Sequence, residues 1–170
     1  MAETDIKAIY TTALQNTHAL EQQGLQQIEH QLSGLGQYPQ YKSALETQKQ
    51  IDAKHMERLD KALQAVGGST SGFKESVMSV AGKIGAAVHA TASDETLKNL
   101  YAGYAYQFDK VAAYKSLAVI AEEAGYKDHA SEFRTSMEED KKSADVIDGM
   151  IESITREYLK LATSGKKADS

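Results

Sequence analysis

The sequence predicts an all-α fold, a bundle of four long helices, and three observations carry that prediction. The chain has one proline in 170 residues, and long uninterrupted helices tolerate few prolines because each removes a backbone donor. Alanine, leucine, glutamine, glutamate and lysine, all good helix formers, dominate the composition. No segment alternates apolar and polar residues with period two; apolar positions recur instead at spacings of three and four.

The first amphipathic segment runs from about Thr4 to Leu35 and ends in the turn GLGQYP, where Gly36 is expected to adopt positive φ. Pro39 falls in the first turn of the second segment, where its missing N–H is harmless. That segment continues to about Val66 and stops at GGSTSG. A third opens at SDE, with Ser93 or Asp94 as N-cap, and ends at Gly125. The fourth is expected from Asp128, as N-cap, to about Thr163. Between the second and third lies the Gly- and Ala-rich stretch from Phe73 to Ala90, expected to form a short extra helix in a long crossover. Short links at both ends and one long middle connection describe a four-helix bundle of ferritin-like connectivity. Residues 1–163 are expected to form one domain, with 164–170 a disordered tail.

Apolar residues make up 41% and charged residues 25% of the chain, as expected of a globular domain. A net charge of −5 with no basic stripe argues against a nucleic-acid partner. No run approaches the length of a membrane span. The absence of cysteine excludes disulfides, thiolate catalysis and Cys-based metal sites, and it fits a cytoplasmic location. The fragment GKIGAAVHA has no strand before it and no phosphate-binding spacing, which argues against a nucleotide site. His30, His89 and His129 are expected to be solvated or capping residues, and the tyrosines of helix three to pack in the core with their hydroxyls paired.

The informative residues are the polar ones on the inward ladders. Helix one reads Leu14, His18, Glu21, Leu25, Ile28, Leu32, Leu35. Helix two reads Tyr41, Leu45, Gln48, Asp52, His55, Leu59, Ala62, Val66. Helix three reads Leu97, Leu100, Tyr104, Gln107, Val111, Tyr114, Ala118, Ala121, and helix four Phe133, Met137, Asp140, Ala144, Ile147, Ile151, Ile154, Tyr158. Every helix carries its polar interruption near its midpoint, so in a bundle of equal helices the groups converge on one level. A buried carboxylate must be paired, hydrogen-bonded or metal-bound. Glu21, Asp52, Asp140, His18 and His55 therefore form a candidate cluster, and carboxylate plus imidazole donors suit iron, manganese or zinc. The same pairs also occur on solvated helix faces, and a ladder drawn through a long helix drifts.

The stretches HALEQQ (18–23), QLSGLGQYP (31–39), HMERLDKAL (55–63), SDETLKNLYAGYAY (93–106), AAYKSLAVIAEEAGY (112–126) and ITREYL (154–159) also carry a family resemblance. With them the chain resembles the YciF/YciE-type bacterial ferritin-like proteins, described as stress-associated, from about Tyr10 to Leu161. The resemblance implies a ferritin-like bundle, paired into a homodimer, with a di-iron centre. It matches Glu21 to the helix-one acid and Glu139-Asp140 to a Glu-Glu pair. Elsewhere it implies loss: relatives carry His at Gln48, Glu at Ile51, and Glu at both Gln107 and Lys110, while Asp52 and His55 stand where relatives are uncharged. Two readings follow. One is a remodelled or degenerate di-metal centre, with Lys110 pairing to Asp140 or Glu21 and no metal bound. The other is a shifted iron or manganese site at Glu21, Asp52, His55, Glu139 and Asp140, with weak oxidase-type activity.

Overall fold

The computed structural model describes residues 5–68 and 94–169. Among them are five α-helices, α1 (Ile6–Leu32), α2 (Pro39–Ala65), α3 (Glu95–Glu123), α4 (Lys127–Asp148) and α5 (Ile151–Thr163), and no strand. The first three, with α4 continued by α5, make the four-helix bundle. The short helix expected between Phe73 and Ala90 lies outside the described residues.

Each boundary has a local cause. Asp5 caps α1, its side chain accepting from the Lys7 N–H at 3.1 Å. Pro39 opens α2 at its first turn. Gly125, at φ 89°, closes α3, and Tyr126 N–H donates to Ala121 O at 2.8 Å across the turn. Gly36, expected at positive φ, does not adopt it; the link from α1 to α2 is instead a 3-10 turn over Leu35–Gln37. Helix four begins one residue before Asp128, which lies inside its first turn rather than at the cap.

Two further expectations are corrected. The fourth segment is not one helix but two, α4 and α5, joined through Gly149 and Met150. There the Met150 N–H turns back to Ile147 O at 3.0 Å, an i→i+3 bond that tightens the backbone where glycine weakens the helix. The segment assigned to a disordered tail is docked: Ala168 is buried, and its carbonyl accepts from the Tyr38 hydroxyl at 2.6 Å.

The core forms two apolar layers. Tyr10, Leu14, Leu59, Leu63, Tyr114 and Phe133 fill one end of the bundle. Tyr41, Leu45, Leu100, Ile147, Ile154 and Leu161 fill the other. The buried polar residues Glu21, Gln48, Asp52, His55, Gln107, Lys110, Ser136 and Asp140 fall between these layers along their helices. Midway, α1 and α3 approach closely at Gly24, where a Cβ would lie 2.8 Å from Tyr106 Cε1. No helix among the described residues is long and apolar enough to cross a membrane.

Candidate metal centre

Each long helix delivers at least one buried ionisable group to the polar layer: Glu21 from α1, Asp52 and His55 from α2, Lys110 from α3 and Asp140 from α4. On α2 the 3-4 spacing places Gln48, Asp52 and His55 on the same inward face as Leu45 and Leu59. Lys110 Nζ is the hub. It lies 2.6 Å from Asp52 Oδ1, 2.9 Å from Asp140 Oδ1 and 3.0 Å from Glu21 Oε2. An ammonium offers three donors and no acceptor, and here it meets three carboxylates from three helices.

His55 forms the second tier. Its Nδ1 lies 2.9 Å from Glu21 Oε1 and 3.8 Å from Asp140 Oδ2, and its Nε2 lies 2.9 Å from Glu139 Oε2. With a carboxylate oxygen against each ring nitrogen, both can donate only if the ring is imidazolium. Tyr114 donates its hydroxyl to Glu21 Oε1 at 2.7 Å, and the Gln48 amide donates to Asp52 Oδ1. At the rim, Arg58 Nη1 donates to Glu139 Oε2 at 2.6 Å and to Ser136 Oγ at 2.9 Å. Asp52 Oδ2, Asp140 Oδ2 and Gln107 Oε1 are buried without a hydrogen-bond partner.

Charge follows geometry. Burial pushes the Asp140 carboxyl up to about 7, only partly offset by Lys110. Asp52 is raised for the same reason, with Glu21 adding to it. Glu21 is also penalised by burial, but Lys110 and His55 outweigh that and hold it below the ordinary carboxylate value. For His55, burial opposes the charge and the Glu21 carboxylate overcomes it, leaving the imidazole raised. The three carboxylates likewise hold Lys110 above its ordinary value against the effect of burial. Glu139 is lowered, Arg58 and His55 prevailing over burial. Two buried cations thus face three buried carboxylates, and a proton on Asp140 closes the balance.

Glu21, Asp52, His55 and Asp140 present ligand atoms within 4.8 Å of one another and could hold a metal ion. As arranged, they do not fit a di-metal centre. Two divalent ions added to the Lys110 ammonium would leave excess positive charge buried among three carboxylates, and Gln48, Ile51 and Gln107 bring no charge to offset it.

The residues singled out in the sequence divide as follows. Glu21, Asp52, His55 and Asp140 come together, and Glu139 touches the group through His55 Nε2 with a side chain 30% exposed. His18 does not join them: Thr17 takes the buried position, and His18 pairs with Asp60 at 3.1 Å. On α3 the inward residue is Lys110 and not Val111, which is only half-buried. Arg58 was missed, although it lies one turn after His55 on the same helix. His129, expected to be solvated or capping, accepts or donates at 2.8 Å with the buried Tyr10 hydroxyl and stacks on Tyr126.

Fold and site together define a ferritin-like bundle with a buried Glu/Asp/His group at its middle. The family model described as a domain of unknown function, DUF892, matches residues 5–160, and the chain belongs to that family. A crystal structure of a protein from Xanthomonas campestris pv. campestris is similar, with a TM-score of 0.76 at 19% identity, covering 91% of this chain and 96% of that one. At that identity the likeness speaks for the fold alone.

Proposed function

We propose that this is a ferritin-like protein whose di-metal centre has been remodelled into a metal-free, charge-balanced polar core, so that it acts through its fold and its surface rather than by metal redox chemistry. One observation carries the reading: Lys110 Nζ lies within 3.0 Å of carboxylates from three other helices. The bridging acids of a ferritin-like centre neutralise two ions; here a tethered ammonium performs part of that neutralisation. The likeness to YciF/YciE-type proteins supports a stress-associated role in the cytoplasm and pairing into a homodimer. Tyr101, Phe108 and Val119, exposed along the outer face of α3, offer apolar surface for such pairing.

The test is metal content of protein purified from cells grown in iron or manganese. The reading requires less than about a tenth of an ion per chain and no metal-dependent rise in melting temperature, since a ligand specific to the folded state must raise it. A second reading, a shifted iron or manganese site with weak oxidase-type activity, draws on the unpartnered oxygens Asp52 Oδ2 and Asp140 Oδ2. Stoichiometric metal that is lost in Asp52→Ala would favour it.

A further inference from the structure

We infer that the polar layer is a lysine-locked single-ion site: Glu21, Asp52, His55 and Asp140 form a donor set for one divalent transition cation, and the Lys110 ammonium alone keeps the ion out. The inference rests on the reading of Lys110 given above and extends it to which residues bind and what excludes the ligand.

Two observations beyond the clustering of acids point to a cation. The set already holds one, because Lys110 Nζ is at ion-pair distance from all three carboxylates. Two of those carboxylates also keep a buried oxygen, Asp52 Oδ2 and Asp140 Oδ2, that has no hydrogen-bond partner. Removing the ammonium leaves donor atoms from three helices within 4.8 Å of one another.

His55 is also mounted as a ligand. Its Nε2 lies 2.9 Å from Glu139 Oε2, and Arg58 holds that same oxygen at 2.6 Å. A carboxylate on the far nitrogen of a histidine fixes the ring and its tautomer, the outer arrangement that supports histidine metal ligands. With Nε2–H committed to Glu139, Nδ1 is the nitrogen turned toward Glu21 and Asp140.

The charges exchange evenly. The locked state holds two positive groups, the Lys110 ammonium and the imidazolium proton on Nδ1. With the ammonium removed, as in Lys110→Met, one divalent ion on Nδ1 and the carboxylates replaces two protons, the imidazolium proton and the one on Asp140, and both leave to solvent. The chemistry favoured is a mixed oxygen and nitrogen site, suited to Mn2+, Fe2+, Co2+ or Zn2+ rather than to Ca2+.

Cobalt(II) chloride added to the full-length chain tests this, with visible absorption, bound metal after desalting, and thermal unfolding as readouts. Lys110→Met should bind about one ion per chain, develop cobalt absorption and melt at higher temperature with metal, while the unaltered protein does none of these. Adding His55→Gln to Lys110→Met should weaken cobalt binding by about 10-fold or more. If Lys110→Met is unfolded alone, recovery of helical circular dichroism on adding cobalt also supports the lock. The inference is overturned if Lys110→Met and Lys110→Gln take up no cobalt, whether folded or left unfolded with the metal present. Cobalt bound equally by the unaltered chain is a different result: it removes both the lock and the metal-free reading.

Discussion

Lys110 Nζ on α3 and Asp52 Oδ1 on α2 lie 2.6 Å apart, both essentially inaccessible to solvent. The contact belongs to a network in which Glu21 and Asp140 share the same ammonium. Removing one member of such a network leaves buried charge uncompensated, which is more damaging than the network itself is stabilising. Lys110→Met in the absence of metal is therefore expected to lower the unfolding free energy by about 3–5 kcal/mol. Equilibrium urea unfolding checks this; a loss below about 1 kcal/mol, the range of an exposed pair, would show that the ammonium does not balance these acids.

Stability should also depend on pH in an unusual direction. Asp140 titrates at about 7 in the folded chain against an ordinary 3.8, so between those values the folded state holds a proton that the unfolded state has released. Stability from this group therefore falls as pH rises through that window. Asp52, raised by burial, acts the same way. His55 adds to the trend: its contribution is complete below 6.5 and is lost as pH rises through its higher folded value. Glu21, held low, opposes it only on the acid side, losing its contribution as pH falls below 4.5 toward its folded value. The urea midpoint should peak on the acid side of neutrality and decline toward alkaline pH. In Asp140→Asn the decline between about pH 5 and 7 should flatten, and an unaltered slope there would assign it to other groups.

How much of this was legible in the sequence depended on the helix. On α2, every residue from Tyr41 to Ala62 on the inferred ladder is buried, because that helix is apolar on one side only and the 3-4 spacing has a single solution. On α3 apolar residues occur on every face, so spacing alone selected Val111 where the structure buries Lys110. Lys110 came into view only through the family resemblance, which sets it where relatives carry Glu, and charge then paired it with Asp140 or Glu21, since buried carboxylates are not left stranded. On α1 the ladder drifted by one residue, exchanging Thr17 for His18 and Gly24 for Leu25. Docking of Ala168 on Tyr38 joins residues 130 positions apart and leaves no local signal.

Gly24 provides a prediction about helix approach. Tyr106 donates its hydroxyl to Leu20 O at 2.5 Å, which anchors the ring against α1 one turn from Gly24. A methyl group at position 24 would lie 2.8 Å from Cε1 of that ring. Gly24→Ala gains about 1 kcal/mol of helix propensity, but the overpacking it forces costs about 1–3 kcal/mol. Net destabilisation is expected, and adding Tyr106→Leu should make the alanine stabilising by comparison with Tyr106→Leu alone. Thermal unfolding of the four proteins gives the answer; an equal effect of the alanine in both backgrounds would mean that the ring yields freely.

The C-terminal segment makes the last prediction, because it supplies a cap that α3 lacks. Asp94, the residue at the N-cap of α3, makes no side-chain capping bond and instead pairs with Lys98 at 2.7 Å. Asp169 takes over: its Oδ1 accepts from the Thr96 N–H at 3.1 Å. A carboxylate at a helix N-terminus both satisfies an open donor and complements the helix dipole. Asp169→Ala should therefore cost about 0.5–2 kcal/mol, the usual effect of losing a cap, and Tyr38→Phe about 0.5–1.5 kcal/mol through the lost bond to Ala168 O. The distinguishing measurement is amide hydrogen exchange. Asp169→Ala should expose the first turn of α3, the Thr96 amide above all, without altering protection at Gln107 or Tyr114. Lys167→Ala, at an exposed position in the same segment, should leave exchange unchanged. Equal protection of Thr96 in the aspartate variant and the lysine variant would mean that the segment rests on the bundle without capping it.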